Sequence, residues 1–257
     1  MKKPIFGSGW KMFMSDAEAI AHANRLKERV PTEKDVELFV LPSFTALDRV
    51  NNILKGTDIC VGAQNMAWED KGAYTGEVSA LSLAEMGLKY VEIGHTERRT
   101  LFGETCGTIN LKMKKALERG LIPVFCTGEN AEQKDAGLAR EVLATEIKTA
   151  LLGIPFGQAV RILYAYEPVW AIGKADAASP GYAQEILRFI RELLVELYPE
   201  SVDGADFNLL YGGSVSLKNV GDLMSRPDVD GVFVGRASME ADSYAEMLQI
   251  IKKEAHT

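Results

Sequence analysis

Apolar and polar residues follow two periods along this chain, and short apolar runs alternate with longer amphipathic stretches. The short runs are typical of buried strands, whereas apolar residues at three- and four-residue spacing are typical of helices. We predict strands at residues 4–9, 36–41, 59–63, 90–93, 122–126, 161–166, 207–211 and 231–234. We predict helices at residues 15–29, with Ser15 as N-cap, and at 43–54, 79–86, 105–119, 132–152, 180–197, 217–224 and 243–253. These eight strand–helix units predict a parallel sheet.

The units follow one another without a Gly/Ser-rich linker or a shift in composition. They predict an α/β fold with a single (β/α)8 barrel domain spanning residues 1–257, and this length is close to the ~250 residues typical of such barrels. An open, doubly wound sheet is the alternative. It would carry a glycine-rich fingerprint between its first strand and helix, but residues 7–12 (GSGWKM) lack the third glycine and the immediate helix.

Composition narrows the range of partners. Hydrophobic residues make up 47% and charged residues 25% of the chain, which is ordinary globular usage. No stretch is long and apolar enough to predict a membrane span. The formal net charge of -7 disfavours nucleic acid and anionic membranes as partners. A small anionic substrate would therefore need a local positive site.

The cysteines and the first residues bear on the cellular compartment. Cys60, Cys106 and Cys126 cannot all pair with one another and lack metal-ligand spacing, so we expect reduced thiols in the cytoplasm. Pro4 and Gly7 interrupt the first apolar run, so we read it as a strand and expect no signal peptide.

Reactive side chains stand at the carboxyl ends of four predicted strands. Lys11 follows the first strand, His95 the fourth and Glu167 the sixth, while Cys126 ends the fifth. In a barrel these strand ends meet at one rim, where active sites lie. Taken singly, such a lysine is usually solvated, and such a histidine or cysteine usually packs in a core. Together they supply a base, an acid and a cation.

Glu167 lies in the stretch YEPVWAIG at residues 166–173. Pro168 has no backbone N–H and ends the strand there, so the carboxylate lies at the rim. On position alone, a strand-end glutamate paired with a lysine is the more common case. The bulky Trp170 and the small, polar segment 173–179 (GKADAAS) favour a base beside a lid, with an ordinary loop as the alternative.

His95 opens the stretch GHTERR at residues 94–99. Thr96 and Glu97 suit the first turn of a helix, so the imidazole would lie near a positive helix N-terminus. That field favours the neutral imidazole.

Two glycine-rich stretches follow the last two strands, at residues 211–215 (YGGSV) and 234–238 (VGRAS). Loops in these positions form the usual phosphate site of such barrels, because bare backbone N–H groups can approach an oxyanion closely. In register with Glu167 and His95, they predict a small phosphorylated substrate. No histidine–carboxylate cluster has metal-ligand spacing, so we expect neither metal nor cofactor.

The connection at residues 64–78 (QNMAWEDKGAYTGEV) is longer than helix packing needs. It carries Trp68 and Tyr74 among turn residues, which predicts a projecting loop whose aromatic side chains need a cover. A partner subunit is the natural cover.

These motifs resemble the triosephosphate isomerase family along essentially the whole chain. The matching stretches are WKM at 10–12, VGAQNM at 61–66, TGE at 75–77, GHTERR at 94–99, FGET at 102–105, YEPVWAIG at 166–173 and YGGS at 211–214. The resemblance implies a TIM barrel, a homodimer, and an isomerase of glycolysis and gluconeogenesis that interconverts dihydroxyacetone phosphate and glyceraldehyde 3-phosphate through an enediolate.

The resemblance also implies a role for each matching residue. Glu167 would shuttle a proton between adjacent carbons, neutral His95 would polarise and protonate the oxygens, and Lys11 would balance the negative charge. Glu97 would orient Lys11. A neutral catalytic histidine at a helix N-terminus is the known arrangement in triosephosphate isomerase itself.

Further residues match the family outside the proton-transfer group. By the resemblance, Gly173, Ser214 and Gly235 would bind phosphate through backbone N–H groups. Thr75 would reach into the partner subunit of a homodimer, and Cys126 would be a supporting neighbour rather than a nucleophile.

The chain departs from the family pattern at several positions. Gly9 and Phe13 stand where the family has asparagines, and the lid at 174–178 reads KADAA in place of TGKTA. Gly9 removes a polar contact beside the substrate oxygens and would leave space that a longer ketose phosphate needs. Arg236 replaces a glycine of the last phosphate loop; it either adds a charge-assisted phosphate contact or points away and pairs with an acid.

Three functions therefore stay open. The first is triosephosphate isomerisation. The second keeps the chemistry but takes a four-carbon substrate, because Gly9, Trp68, Arg236 and the altered lid are similar to relatives that isomerise erythrulose phosphates. The third is a barrel that binds sugar phosphate without turnover, although a pure binder has no need of a matched acid and base.

Overall fold

Eight parallel strands close into a barrel in the computed structural model, which describes residues 2–30, 32–172 and 178–255. Each strand pairs with its sequence neighbours, and the last pairs with the first. The strands are β1 (Ile5–Gly9), β2 (Glu37–Leu41), β3 (Ile59–Ala63), β4 (Tyr90–Ile93), β5 (Ile122–Thr127), β6 (Leu163–Tyr166), β7 (Asn208–Tyr211) and β8 (Gly231–Val234). The predicted (β/α)8 barrel is confirmed, and the open sheet is excluded.

Eleven α-helices are formed by the described residues, and they connect the strands. They are α1 (Asp16–Arg29), α2 (Phe44–Leu54), α3 (Ala80–Glu85), α4 (Thr96–Phe102), α5 (Cys106–Glu118), α6 (Ala131–Asp135), α7 (Ala139–Ala150), α8 (Phe156–Ala159), α9 (Pro180–Leu197), α10 (Val220–Met224) and α11 (Ala241–Ala255). Two 3₁₀ turns lie at Val169–Ala171 and Arg236–Ser238. Ser15 caps α1 as predicted, because its hydroxyl accepts the backbone N–H of Glu18.

The single helix predicted over residues 132–152 is wrong, because α6 and α7 are separate helices. Gly137 has a φ of 72°, in the left-handed region that glycine adopts without steric cost. Its N–H and that of Leu138 donate to the carbonyls of Lys134 and Gln133, 2.9 and 2.8 Å away. The glycine therefore ends α6 within an otherwise periodic stretch.

The hydrophobic core has two layers, one between the strands and the helices and one inside the barrel. Side chains alternate between them along each strand. In β4, Tyr90 belongs to the inner layer and Val91 and Ile93 to the outer one. Glu92 therefore faces the inside of the barrel, near the strand's carboxyl end.

The connection at 64–78 forms the predicted projecting loop. Its base is closed by a bridge between Ala67 and Ser79. Tyr74 and Thr75 are exposed, whereas Trp68 is half-buried and meets the Tyr74 ring edge-on at a centroid distance of 6.0 Å.

Across the described parts of the chain, every helix is too short or too polar to cross a bilayer.

Candidate active site

A cavity of about 550 Å³ opens at the carboxyl ends of the strands. Its lining includes seven of the predicted residues, namely Gly9, Lys11, His95, Glu167, Ser214, Gly235 and Arg236. It also includes residues that the sequence analysis did not assign to phosphate or proton chemistry, namely Glu92, Phe13, Lys218 and Phe233. Gly173 and residues 174–177 of the predicted lid lie outside the described residues. Thr75 is exposed on the projecting loop and does not line the cavity.

Glu167 is held at the end of β6 with its carboxylate buried. Its backbone N–H donates to the carbonyl of Thr127, 2.8 Å away, and one carboxylate oxygen lies 3.6 Å from His95 Nε2. A Cβ added at Gly212 would lie 2.8 Å from Glu167 Cγ. A glycine is therefore needed after β7 to admit the glutamate side chain at this place.

His95 is the N-cap residue of α4, as the sequence predicts for a histidine at a helix N-terminus. Its Nδ1 accepts the backbone N–H of Glu97 at 3.2 Å, which leaves the proton on Nε2, the edge that faces Glu167. Burial lowers the pKa of His95, but the carboxylates of Glu167 and Glu92 raise it and outweigh burial. Protonation of either carboxyl group would remove one of the two charges that raise this pKa.

Lys11 adopts a strained backbone at the end of β1. Its φ of 49° lies in the left-handed region, which is uncommon for a residue other than glycine. The Gln64 side chain supports this turn, because its Nε2 donates to the carbonyls of Lys11 and Leu41 at 2.8 and 2.9 Å. The Lys11 ammonium donates to Glu97 at 2.8 Å. Burial opposes ionisation of Glu97, but this hydrogen bond together with the charges of His95 and Lys11 outweighs burial and lowers the pKa of Glu97.

Glu92 is a functional candidate that the sequence analysis missed. It is only 7% exposed, and it faces the cavity from inside β4. Burial raises its pKa to about 7, with the charges of His95 and Lys11 opposing and those of Glu167 and Glu97 reinforcing the shift. The signal was present in the sequence, because a charged residue at an inward position of a barrel strand breaks the apolar pattern.

Glu92, His95 and Glu167 form a histidine–carboxylate cluster whose potential ligand atoms all lie within 4.8 Å of one another. Spacing along the sequence does not reveal this cluster, because Glu167 follows β6, whereas Glu92 and His95 belong to β4 and the turn after it. A cation there would need a lone pair on His95 Nε2. Since Nδ1 already accepts the Glu97 N–H, the ring would have to be an imidazolate. The cluster is better suited to holding protons than to holding a metal.

Cys126 lies fully buried on the inner face of β5. Burial, reinforced by the carboxylates of Glu167 and Glu92, raises the pKa of its thiol well above the ordinary value. The thiol therefore stays protonated, and a protonated thiol is a poor nucleophile.

The loop after β7 is fixed by a chain of hydrogen bonds. Ser214 Oγ donates to the carbonyl of Ala171 at 2.7 Å. Asn219 donates to the carbonyl of Ser214 at 2.9 Å and accepts the backbone N–H of Ser216 at 2.8 Å. The loop at this wall of the cavity is thus held in one shape before any ligand binds.

The loop after β8 is anchored from beneath. Ser238 Oγ donates to the carbonyl of Gly235 at 2.7 Å and lies 2.7 Å from the hydroxyl of Ser8 on β1. The Arg236 guanidinium lies over the Phe13 ring, 5.5 Å from its centroid. Among the described residues, no carboxylate comes within 4.0 Å of Arg236. Of the two alternatives for Arg236, the pairing with an acid is therefore not found among the described residues.

Gly9 does not leave the free space that the sequence predicts. A Cβ added at Gly9 would lie 2.9 Å from Cζ of Phe233, whose ring reaches across from β8. The prediction fails because it considers position 9 alone, whereas the neighbouring strand supplies a large side chain to the same place.

Glu129 is a second residue that the sequence analysis missed. It is fully buried behind the turn at Val169–Ala171. Its carboxylate accepts from the Tyr166 hydroxyl at 3.0 Å, the Trp170 indole N–H at 2.8 Å and the Tyr182 hydroxyl at 2.9 Å. It ties the segment after Glu167 to the barrel wall. Its place directly after the fifth strand, at the same rim as His95, was the available signal.

Comparisons with known proteins agree over nearly the whole chain. A family model described as triosephosphate isomerase matches residues 4–253. A triosephosphate isomerase from Thermoanaerobacter sp. (strain X514) is 43% identical over 251 residues, which are 96% of this chain and 99% of the relative. Proteins of the same name from Moorella thermoacetica and Trichlorobacter lovleyi are 44% and 43% identical over 248 and 249 residues, covering 96% and 97% of this chain and 98% and 99% of theirs.

Proposed function

This chain belongs to the triosephosphate isomerase family, and on that premise we propose that it interconverts dihydroxyacetone phosphate and glyceraldehyde 3-phosphate. The reaction moves one proton between adjacent carbons and needs neither a metal nor an organic cofactor. The relatives named above all carry the triose activity in their name, so the four-carbon substrate is not favoured over it.

One observation carries the mechanism: the buried Glu167 carboxylate lies 3.6 Å from His95 Nε2. In the proposed mechanism, Glu167 removes a proton from C1 of the ketose and returns it to C2 of the enediolate. Burial keeps bulk water away from the carboxylate.

His95 and Lys11 serve the oxygens in this mechanism. The Nε2–H of neutral His95 donates to the substrate oxygens as they gain charge, and passes a proton between them. The Lys11 ammonium, oriented by Glu97 at 2.8 Å, offsets the negative charge of the enediolate. Cys126 is a supporting neighbour of Glu167 and not a nucleophile.

We assign the phosphate group to the loops after β7 and β8. Support comes from the cavity wall there, which combines backbone at Ser214 and Gly235 with the side chains of Lys218 and Arg236. These two cations supply the local positive site that a chain of net charge -7 needs for an anionic substrate. The role of Gly173 rests on the family resemblance.

We propose that two copies of the chain form a homodimer through the projecting loop at 64–78. Support comes from large apolar side chains left exposed on that loop and on the segments after β1 and β4. They are Met12, Phe13, Tyr74, Leu101 and Phe102. Thr75 at the loop tip would reach into the partner subunit. Mass and activity measured on dilution test this; a stable, fully active monomer contradicts it.

Two further proposals concern the chain as a whole. Residues 1–257 form one domain, supported by the pairing of β8 with β1, which closes the barrel between the two ends of the chain. The enzyme works in the cytoplasm, supported by three cysteines that are unpaired in the structure.

The test of the function is kcat/KM on dihydroxyacetone phosphate and on both erythrulose phosphates. We expect the triose to be the better substrate, with Glu167→Gln about 10³-fold slower and phosphate-ligand binding nearly unchanged. Glu200→Gln, at an exposed glutamate between α9 and β7, is the matched control and should keep full activity. Unchanged turnover in Glu167→Gln would refute the base, and a preference for an erythrulose phosphate would refute the substrate.

A further inference from the structure

Glu92 is a buried carboxyl group to which the proposed mechanism gives no role. Among the described residues, its only hydrogen-bond donor is the Cys126 thiol, with Sγ 3.9 Å from Oε1. That is a weak and distant donor. An ionised carboxylate with so little compensation is costly in a buried site, so the neutral carboxylic acid is the favoured form.

Several charged and titratable groups interact with Glu92 from the carboxyl ends of the strands. They are Cys126 on β5, His95 and Glu97 after β4, Glu167 after β6 and Lys11 after β1. Burial outweighs the combined effect of these groups and raises the pKa of Glu92 to about 7. The group thus changes its charge within the range in which enzymes work.

His95 and Glu92 compete for one proton. With both neighbouring carboxylates ionised, the pKa of His95 is raised as well, so the two groups titrate as a coupled pair. The Glu97 N–H decides between them, because it donates to Nδ1 and a charged imidazole would need to donate from that atom. The proton therefore stays on Glu92, and His95 stays neutral.

We propose that Glu92, as a neutral carboxylic acid, is a further catalytic residue that donates a hydrogen bond to a substrate oxygen as the enediolate gains negative charge. It keeps its proton throughout. The polar atoms of Glu92, His95 and Glu167 lie within 4.8 Å of one another, so a substrate in contact with the other two is within reach of Glu92. This inference rests on the proposed function and deepens it.

The surroundings explain why a donor is useful at this place. Gly9 and Phe233 line the same cavity and offer no side-chain hydrogen bond. Glu92 therefore adds a hydrogen-bond donor to a lining in which these two residues supply none. A carboxylic acid held neutral by an apolar site is an effective donor to a developing oxyanion.

The proposal has a signature in the pH profile. Above its pKa, Glu92 loses the donated hydrogen and adds a negative charge beside the enediolate. We expect kcat/KM to fall on the alkaline side with a midpoint near pH 7. The profile of kcat should fall at higher pH, because the bound phosphate dianion further disfavours ionisation of Glu92.

The experiment compares wild type, Glu92→Gln, Glu92→Leu and Val124→Ala from pH 5 to pH 9 on the triose phosphates. Gln donates at every pH, so the alkaline fall should vanish while the rate at pH 6 stays within about 3-fold of wild type. Leu cannot donate, and the rate at pH 6 should drop about 100-fold. Val124→Ala loosens the inner layer of the barrel without removing a donor and should keep the alkaline fall.

Two results would overturn the proposal. One is Glu92→Leu with a rate at pH 6 within about 3-fold of wild type. The other is Glu92→Gln with the alkaline fall intact. Circular dichroism checks folding, and if the Leu variant does not fold, the Gln profile decides. Wild-type turnover and its loss in Glu167→Gln test the proposed function independently of Glu92.

Discussion

Two buried clusters of ionisable side chains lie within this barrel, and they are built in opposite ways. In the first, Lys112 Nζ donates to Asn65 at 2.8 Å and to the carboxylate of Glu104. The other oxygen of Glu104 accepts the backbone N–H of Gly94 at 3.2 Å. Every charge in this cluster meets a partner of opposite charge or a hydrogen-bond donor.

The second cluster consists of Glu92, His95 and Glu167. Two carboxyl groups share one histidine, and no lysine or arginine of the described residues lies within 4.0 Å of either carboxyl. The nearby Lys11 is engaged by Glu97 instead. This cluster is left with more acid than cation in a buried place.

The difference between the two clusters distinguishes buried charges that stabilise the structure from buried groups that take part in chemistry. A fully paired cluster holds its protons firmly and fixes local geometry; here it fixes Gly94, the residue before His95. An underpaired cluster exchanges protons near neutral pH, which is what acid–base chemistry requires. Three substitutions sharpen the comparison.

The largest effect on stability is expected from Lys112→Met. Removing the cation leaves the buried Glu104 with only the Gly94 N–H at 3.2 Å and the Arg98 guanidinium at 3.9 Å, so the free energy of unfolding should fall by about 3–5 kcal/mol. Urea unfolding at fixed protein concentration measures it. Lys114→Met, an exposed lysine of the same helix α5, is the control and should change stability by less than about 0.5 kcal/mol. Equal losses in both variants would contradict the structural role of the pair.

Glu92→Leu should change the free energy of unfolding in the opposite direction to Lys112→Met, and the size of the change should depend on pH. The pKa of Glu92 is raised from 4.5 to about 7 on folding, so its stabilising contribution is present below pH 4.5 and is lost as pH rises through 7. Between pH 5 and pH 8, wild type should lose about 3 kcal/mol more stability than Glu92→Leu. If the free energy of unfolding depended on pH in the same way in both proteins, folding would not raise the pKa of the Glu92 carboxyl.

The smallest of the three effects is expected from Glu129→Gln. The carboxylate accepts three hydrogen bonds, and an amide has one acceptor oxygen in place of two, so the loss should be about 1–2 kcal/mol. Glu132→Gln, exposed on α6, is the control. Trp170 emission follows the change locally. A variant as stable as wild type would mean that the three donors find other acceptors.

The rule that barrel strands meet at one rim led from the sequence to Lys11, His95 and Glu167, and the structure places all three at one cavity; their catalytic roles are our proposal. Chain position alone determines which residues follow a strand, and periodicity located the strands. The sequence analysis did not identify Glu92 and Glu129, for different reasons. Glu92 lies within a strand, so its role depends on which face turns inward. Glu129 depends on three aromatic partners that only the folded chain brings to it.

Two other differences between expectation and structure have causes that the sequence pattern alone did not take into account. The helix over 132–152 was predicted from period alone, and one glycine in the left-handed region divides it. The space beside Gly9 was inferred from the residue that is missing, and the structure fills it from the neighbouring strand. The first miss is local to one glycine, whereas the second concerns a contact between residues far apart in the chain, which single positions do not encode.

The contact between Gly9 and Phe233 also couples the two positions when either is substituted. A side chain introduced at position 9 requires the phenyl ring to move, because its Cβ would lie 2.9 Å from Cζ. A smaller residue at 233 would remove this contact. The two positions therefore form an epistatic pair, in which neither substitution has a fixed effect of its own.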